Sequence, residues 1–251
     1  MHYVMTDIHG DYRRFIEMLD EVQFSEDDRL YLIGDVIDRG TENLEMLDFC
    51  MRYTNVFLIK GNHEYFMELT GRHPDFAMDW RRFGGRNTLR QLDRISEEER
   101  DMFFEYVESL PWYMVLTPEE VPGLERPYLL THTGFLMPDD DRRGETVPAF
   151  CIPDFSGRIP FDVERAVDWM SRHYTWEYSI SSDLYDLPET VRFDKRLLVG
   201  PIPVNSGHAF PPIPYMLERR EYMDLDCGAA YRSAGGRIGC LRLEDMKIWY
   251  L

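Results

Sequence analysis

Three short runs near the start of the 251-residue chain carry side chains that could do chemistry together. They are Asp7-Ile8-His9-Gly10, Gly34-Asp35-Val36-Ile37-Asp38-Arg39-Gly40 and Gly61-Asn62-His63-Glu64. Asp7, His9, Asp35 and Asn62 offer carboxylate and amide oxygens beside imidazole nitrogen. That mixture of hard and borderline donors suits divalent manganese, iron, zinc or cobalt better than calcium or copper(I). Two ions sharing one carboxylate sit about 3.5–4 Å apart, activate water and clamp a phosphoryl oxygen. Asp35, in the middle run, is the natural shared carboxylate.

Each run closes an apolar segment. Residues 3–5 have the pattern of a strand, and from Asp11 the spacing changes. Phe15, Met18, Leu19 and Val22 then fall at i, i+3, i+4 and i+7, which predicts a helix. Residues 30–33 predict a second strand. Leu44, Leu47 and Met51 mark a second helix beginning after Thr41, and residues 56–59 a third strand. Strands alternating with helices favour a parallel sheet with right-handed crossovers. Ligands collect beyond the carboxyl ends of such strands, so parallel neighbours would bring the three runs together. Asp and Asn also favour ordinary strand-to-helix turns, but three separate strand ends bearing metal-type residues exceed what turn chemistry requires.

The remainder of the chain supplies further elements. Residues 74–110 read as helical, with Ser96 and Glu99 forming a capping box and Pro111 ending the run. Residues 128–132 predict a strand ending in His132. Pro138, Pro148, Pro153 and Pro160 make residues 137–160 an irregular surface path. With a helix expected near 163–172, the stretch 137–196 is predicted to form an irregular and helical excursion near the site. Short strands are predicted at 197–199, 222–226 and 238–243.

Composition narrows the function classes. Lys plus Arg is 28 against 46 for Asp plus Glu, a formal net charge of −18. That sign disfavours a nucleic acid or an anionic membrane as partner, while a small phosphorylated substrate held by local charge remains compatible. Cys50, Cys151, Cys227 and Cys240 are scattered with no CxxC pair, so a disulfide framework and a thiolate metal cage are not expected. The chain opens without a basic then apolar leader, and no apolar run nears the roughly 20 residues that span a bilayer. A cytoplasmic protein is expected.

The three runs match the DxHG, GDxxDRG and GNHE signatures, and the chain resembles the calcineurin-like metallophosphoesterases. The likeness is strongest to their phosphoprotein-phosphatase branch of serine/threonine phosphatases, which includes small bacterial and phage enzymes. Trp80 with Gly84-Gly85, Leu110-Pro111, His132-x-Gly134 and Asp226-x-Gly228 extend the match along the chain. The resemblance implies an α/β fold, a four-layer α/β/β/α sandwich with two mixed sheets, as a single domain over residues 1–251. It implies two divalent metal ions, manganese first, with iron, zinc, cobalt or nickel as alternatives. Asp7, His9 and Asp35 would hold one ion, and Asp35, Asn62 and His132 the other.

In the same family scheme a metal-bridging hydroxide attacks phosphorus in line. His63 would protonate the leaving oxygen, Asp38 would orient His63, and Arg39, aided by Asn62, would hold the phosphate. Arg172, shortly after Trp169, is the candidate for a second phosphate-binding arginine, although its spacing departs from the family's W-x-R. Pro201 stands where the family carries a metal-binding histidine. His208, in Ser206-Gly207-His208-Ala209, is the expected surrogate ligand. Trp80, Gly84 and Gly85 are expected to line the substrate pocket, and Arg81, Arg82 and Arg86 form either a solvated face or a phosphosubstrate contact. The activity implied is hydrolysis of a phosphomonoester on a protein or a small molecule. Symmetrical cleavage of a dinucleoside tetraphosphate is the alternative. A non-catalytic module binding phospholigands or a protein, suggested by Pro201, is opposed by retention of Asp38, Arg39 and His63.

Overall fold

The computed structural model describes residues 1–135, 147–181, 183–200 and 216–251. The alternating N-terminal part forms as the spacing predicts: β1 (His2–Met5), α1 (Tyr12–Glu21), β2 (Arg29–Leu32), α2 (Asn43–Arg52), β3 (Val56–Leu58) and α3 (Asn62–Arg72). Three further helices follow, α4 (Ala77–Trp80), α5 (Arg86–Leu92) and α6 (Glu97–Ser109), the last opened by the Ser96–Glu99 capping box. Next come β4 (Tyr113–Leu116), β5 (Tyr128–Thr131), α7 (Val163–His173) and α8 (Thr175–Ser179). The chain closes with β6 (Arg196–Val199), β7 (Leu217–Glu218), β8 (Tyr222–Asp224), β9 (Gly239–Arg242) and β10 (Lys247–Tyr250). Among the described residues no helix is long and apolar enough to cross a membrane.

Among the described residues, ten strands form two mixed sheets of five, ordered β10-β9-β1-β2-β3 and β4-β5-β6-β8-β7. β1, β2 and β3 run parallel, as do β5, β6 and β8; the remaining pairings are antiparallel. Alternation along the strands then stacks the layers. Tyr3, Met5, Leu30 and Leu32 face a core shared with α1, α2 and α3, including Phe15, Met46 and Phe66. Their neighbours Val4, Tyr31 and Ile33 turn the other way and meet Leu130, Leu198 and Met223 of the second sheet. Leu129, Leu197 and Val199 point out of that sheet onto Val163, Val167 and Met170 of α7. The result is helices, sheet, sheet, helices, held by apolar side chains worth about 1.5–3 kcal/mol each when fully buried.

Several elements differ from expectation. The segment 74–110, read as helical, is divided by a wide, π-type turn at Arg81–Gly85, where Gly84 sits at φ 119, and again before the Ser96 cap. A side chain at Gly84 would also press on Arg39. β4, β7 and β10 were not anticipated. All three are edge strands, and their side chains are mostly half-buried or exposed without clean alternation, so period-two patterning is weak there.

One buried carboxylate ties the strand ends together. Glu64, fully buried in the first turn of α3, accepts hydrogen bonds from the backbone N–H groups of Asp35 (2.8 Å), Val36 (3.0 Å), Ile37 (3.4 Å) and Gly61 (2.9 Å). Glu64→Leu would leave these donors unpaired and is expected to cost on the order of 4 kcal/mol of stability, read as a lower urea midpoint. A loss below about 1 kcal/mol would show that the backbone finds other acceptors.

Candidate active site

The turns after the parallel strands deliver the functional side chains to one place. Asp7 and His9 follow β1, Asp35 follows β2, Asn62 and His63 open α3 after β3, and His132 follows β5. Asp7 N–H donates to the Gly34 carbonyl (3.2 Å), His9 N–H to that of Asp35 (3.0 Å) and Gly10 N–H to that of Val36 (2.8 Å), so the first two turns are laced together. Gly61 is needed at the third turn because a Cβ there would collide with the Asp35 carboxylate. The backbone pays locally for this convergence: Asp7, His9, Asp35, Asp38 and Arg39 all have φ between 51 and 73. Non-glycine residues held in that region cost about 1–3 kcal/mol each and cluster at functional sites.

Asp35 is central. Its Oδ2 lies 3.9 Å from His9 Nε2 and 3.7 Å from His63 Nε2, and its Oδ1 lies 3.4 Å from His132 Nε2. Asp35 is common to two groups of potential metal donors, His9–Asp35–His63 and Asp7–Asp35–His132. Asp7 Oδ1 is 3.6 Å from His9 Nε2, and half-buried Asn62 presents Oδ1 at 2.9 Å from His132 Nε2. Apart from Asn62 these residues are buried.

The donor set fits divalent cations. His9 Nδ1 donates to the Ile37 carbonyl (3.1 Å) and His132 Nδ1 to the Ile33 carbonyl (2.9 Å). Each ring therefore turns Nε2 toward carboxylate and amide oxygens, the arrangement by which ligating histidines are fixed. Charge crowding points the same way. Burial, then Asp226 and Asp35, push the Asp7 carboxyl well above its usual range. Burial likewise raises Asp226 to about 7, against the Gly228 N–H that it accepts at 2.7 Å. Burial opposes the His132 imidazolium, yet the charge of Asp35 and its hydrogen bond raise it to about 9. Burial would also raise Asp35, but His132 and His63 outweigh it and hold Asp35 well below the carboxylate range.

His63 is supported separately. Its Nδ1 donates to Asp38 Oδ2 at 2.6 Å, and Asp38, fully buried, also accepts from Trp80 Nε1 (2.5 Å) and from the Thr88 hydroxyl. Burial works against the imidazolium, but Asp35 and the Asp38 hydrogen bond raise its pKa above the ordinary value. Exposed Arg39 reaches to 3.3 Å from His63 Nε2, with its guanidinium 5.6 Å from the Tyr231 ring centre. A cleft of about 270 Å³ lined by His9, Arg39, Thr41 and Ala229 opens beside it.

The structure thus gathers Asp7, His9, Asp35, Asp38, Arg39, Asn62, His63 and His132. Arg172 lies on the exposed side of α7, paired with Asp168. Pro201 and His208 lie outside the described residues. Trp80 is fully buried behind Asp38 and does not line a pocket. Sequence reasoning gave no role to Glu64, Thr88 or Asp226. Glu64 and Asp226 sat within matched motifs and were legible there; Thr88 carried no signal beyond its place after Gly85.

Two sheets whose carboxyl ends converge on a buried aspartate and histidine cluster define an α/β/β/α sandwich with a donor set for two cations. A family model described as calcineurin-like phosphoesterase matches residues 3–181, and the chain belongs to that family. A symmetrical bis(5'-nucleosyl)-tetraphosphatase of Neisseria gonorrhoeae is 32% identical over 101 residues, 32% of this chain and 37% of its own length. That of Coxiella burnetii is 36% identical over 70 residues, 28% of this chain and 24% of its own length. The chain thus matches well under half the length of these curated relatives. A solved structure assigned provisionally as a diadenosine tetraphosphatase has a TM-score of 0.60 at 15% identity, covering 100% of this chain and 92% of that one. A serine/threonine phosphatase of Saccharomyces cerevisiae gives 0.50 at 16% identity, over 95% and 71%. At those identities the likeness is one of fold.

The raised pKa of His132 has a measurable consequence. At pH 7 the ring holds its proton, and a cation binding Nε2 must expel it. Titration of metal-free protein with Mn²⁺ in buffers of differing ionisation enthalpy is expected to show release of about one proton or more per chain. The release should fade as pH rises through about 9. Binding without proton release at pH 7 would remove His132 from the donor set.

Proposed function

We propose that this chain hydrolyses phosphoesters at a two-cation centre. The observation that supports the reading is the buried Asp35 carboxylate, common to the donor groups His9–Asp35–His63 and Asp7–Asp35–His132, with Asn62 Oδ1 beside His132. Asp7, His9 and Asp35 would hold one ion and Asp35, Asn62 and His132 the other, with manganese the first choice. Two such ions supply Lewis acidity and a water of lowered pKa. Arg39, exposed at the mouth, is placed to hold phosphoryl oxygens bidentately. His63, whose imidazolium is favoured by its carboxylate neighbours, would give the Nε2 proton to the leaving oxygen as the P–O bond breaks, with water supplying the new P–OH. Asp38 stabilises the imidazolium and fixes its ring, and Trp80 and Thr88 fix Asp38. That intact support for an acid supports turnover over passive binding.

For the substrate, the named relatives favour symmetrical cleavage of dinucleoside tetraphosphates over dephosphorylation of proteins, so a small nucleotide is the substrate class proposed. The net charge of −18 makes any polyphosphate dependent on Arg39 and bound cations for its capture.

Purified protein is expected to release p-nitrophenol from p-nitrophenyl phosphate with Mn²⁺ and to lose that turnover on chelation. Asp35→Asn should lower kcat on the order of 1,000-fold by loosening both ions; activity within a few-fold of wild type would refute the shared role. His63→Asn is expected to slow an alkyl phosphate about 100-fold and p-nitrophenyl phosphate much less, because an activated leaving group needs little acid. Equal losses on the two substrates would argue against proton donation by His63.

A further inference from the structure

An aromatic wall begins at His63 and runs to the surface. Phe66, buried on α3, packs edge-on to the His63 ring with centroids 5.5 Å apart. Phe83 stacks on Phe66 at 4.9 Å and 27°. Trp176 of α8 leans on both, 5.7 Å from Phe66 and 6.4 Å from Phe83. Phe83 is 43% exposed, although it neighbours the charged Arg81 and Arg82 on a face where solvent would favour a polar side chain. Its position is set by the reaction centre: Gly84, the next residue, accepts the Arg39 backbone N–H at 3.1 Å. A Cβ on Gly84 would lie 2.9 Å from Arg39 Cγ and 3.6 Å from His63 Cε1. The π-type turn at Arg81–Gly85 therefore sets an exposed ring one residue before Gly84, which meets the phosphate-holding arginine and the proton donor, with Phe66 linking that ring to His63.

The geometry points to Phe83, backed by Phe66 and Trp176, as the surface that stacks the base of a nucleoside diphosphate leaving group. The inference rests on the phosphoesterase reading for where the leaving group departs, which is the His63 side. It adds a residue that selects a nucleotide over a bare polyphosphate. A planar base gains stacking on an exposed ring without hydrogen-bond readout, so the preference is for bases over none and is weak among bases. A serine or threonine side chain leaving from a protein substrate would gain nothing from this surface.

Binding separates this inference from the catalytic one. With Mn²⁺ present, calorimetry on the wild-type protein is expected to show ADP binding about tenfold tighter than pyrophosphate. In Phe83→Ala the ratio of the two affinities should fall to near one, and Phe83→Tyr should restore it. Equal affinities in the wild type, or failure of both ligands to bind, overturns the aromatic wall even if turnover on p-nitrophenyl phosphate is intact. An equal loss for both ligands in Phe83→Ala overturns it too, because the ring would then act through Arg39 rather than on the base. Absence of turnover beside a persisting, Phe83-dependent preference for ADP would instead sink the hydrolytic reading and leave the wall standing.

Discussion

The convergence of four backbone donors on the Glu64 carboxylate is the constraint from which the site follows. Two strand ends would otherwise splay, since each turn presents N–H groups with no sheet partner left to satisfy them. Glu64 takes three donors from the turn after β2 and one from the turn after β3. Asp35 N–H is one of them, so the same carboxylate that closes the turns also aims the shared ligand. Asp35 returns the favour by accepting the His63 N–H at 3.0 Å through Oδ1. Structural and chemical carboxylates are thus interlocked, and neither can be moved without disturbing the other.

Such a centre is built at a local loss. Five left-handed non-glycine residues and crowded buried carboxylates are all unfavourable in isolation. The surrounding layers over-determine them: apolar cores on both faces of each sheet leave the turns little freedom to relax. Positive charge supplied between the carboxylates would relieve the electrostatic part of that loss.

Much of the site was legible because strand ends are legible. Apolar runs at residues 3–5, 30–33 and 56–59 are short and bounded by polar turns, so the motif residues could be set at the mouth of a parallel sheet before any coordinates. The two-sheet, four-layer arrangement was available only through the family resemblance, because local patterning does not say which faces meet. What stayed hidden has physical causes. Edge strands β4 and β10 lack a two-sided burial pattern. The break at Gly84 looks like helix continuation until its positive φ is seen. Thr88 reaches Asp38 across fifty residues of chain, a pairing that no local spacing encodes.

The pairing of β1 with β9 has a consequence for how the chain reaches its fold. Tyr3 and Val4 are bonded on one side by β2 and on the other by Arg242 and Leu241, near the opposite end of the sequence. Until residues 239–242 pair with it, the strand that leads into Asp7 and His9 has one edge open. Loop closure over such a span is slow, and an open apolar edge invites pairing with other chains. The strand leading into the centre is therefore completed only by a pairing of residues 3–4 with 241–242, so the centre's assembly depends on a closure of long sequence separation.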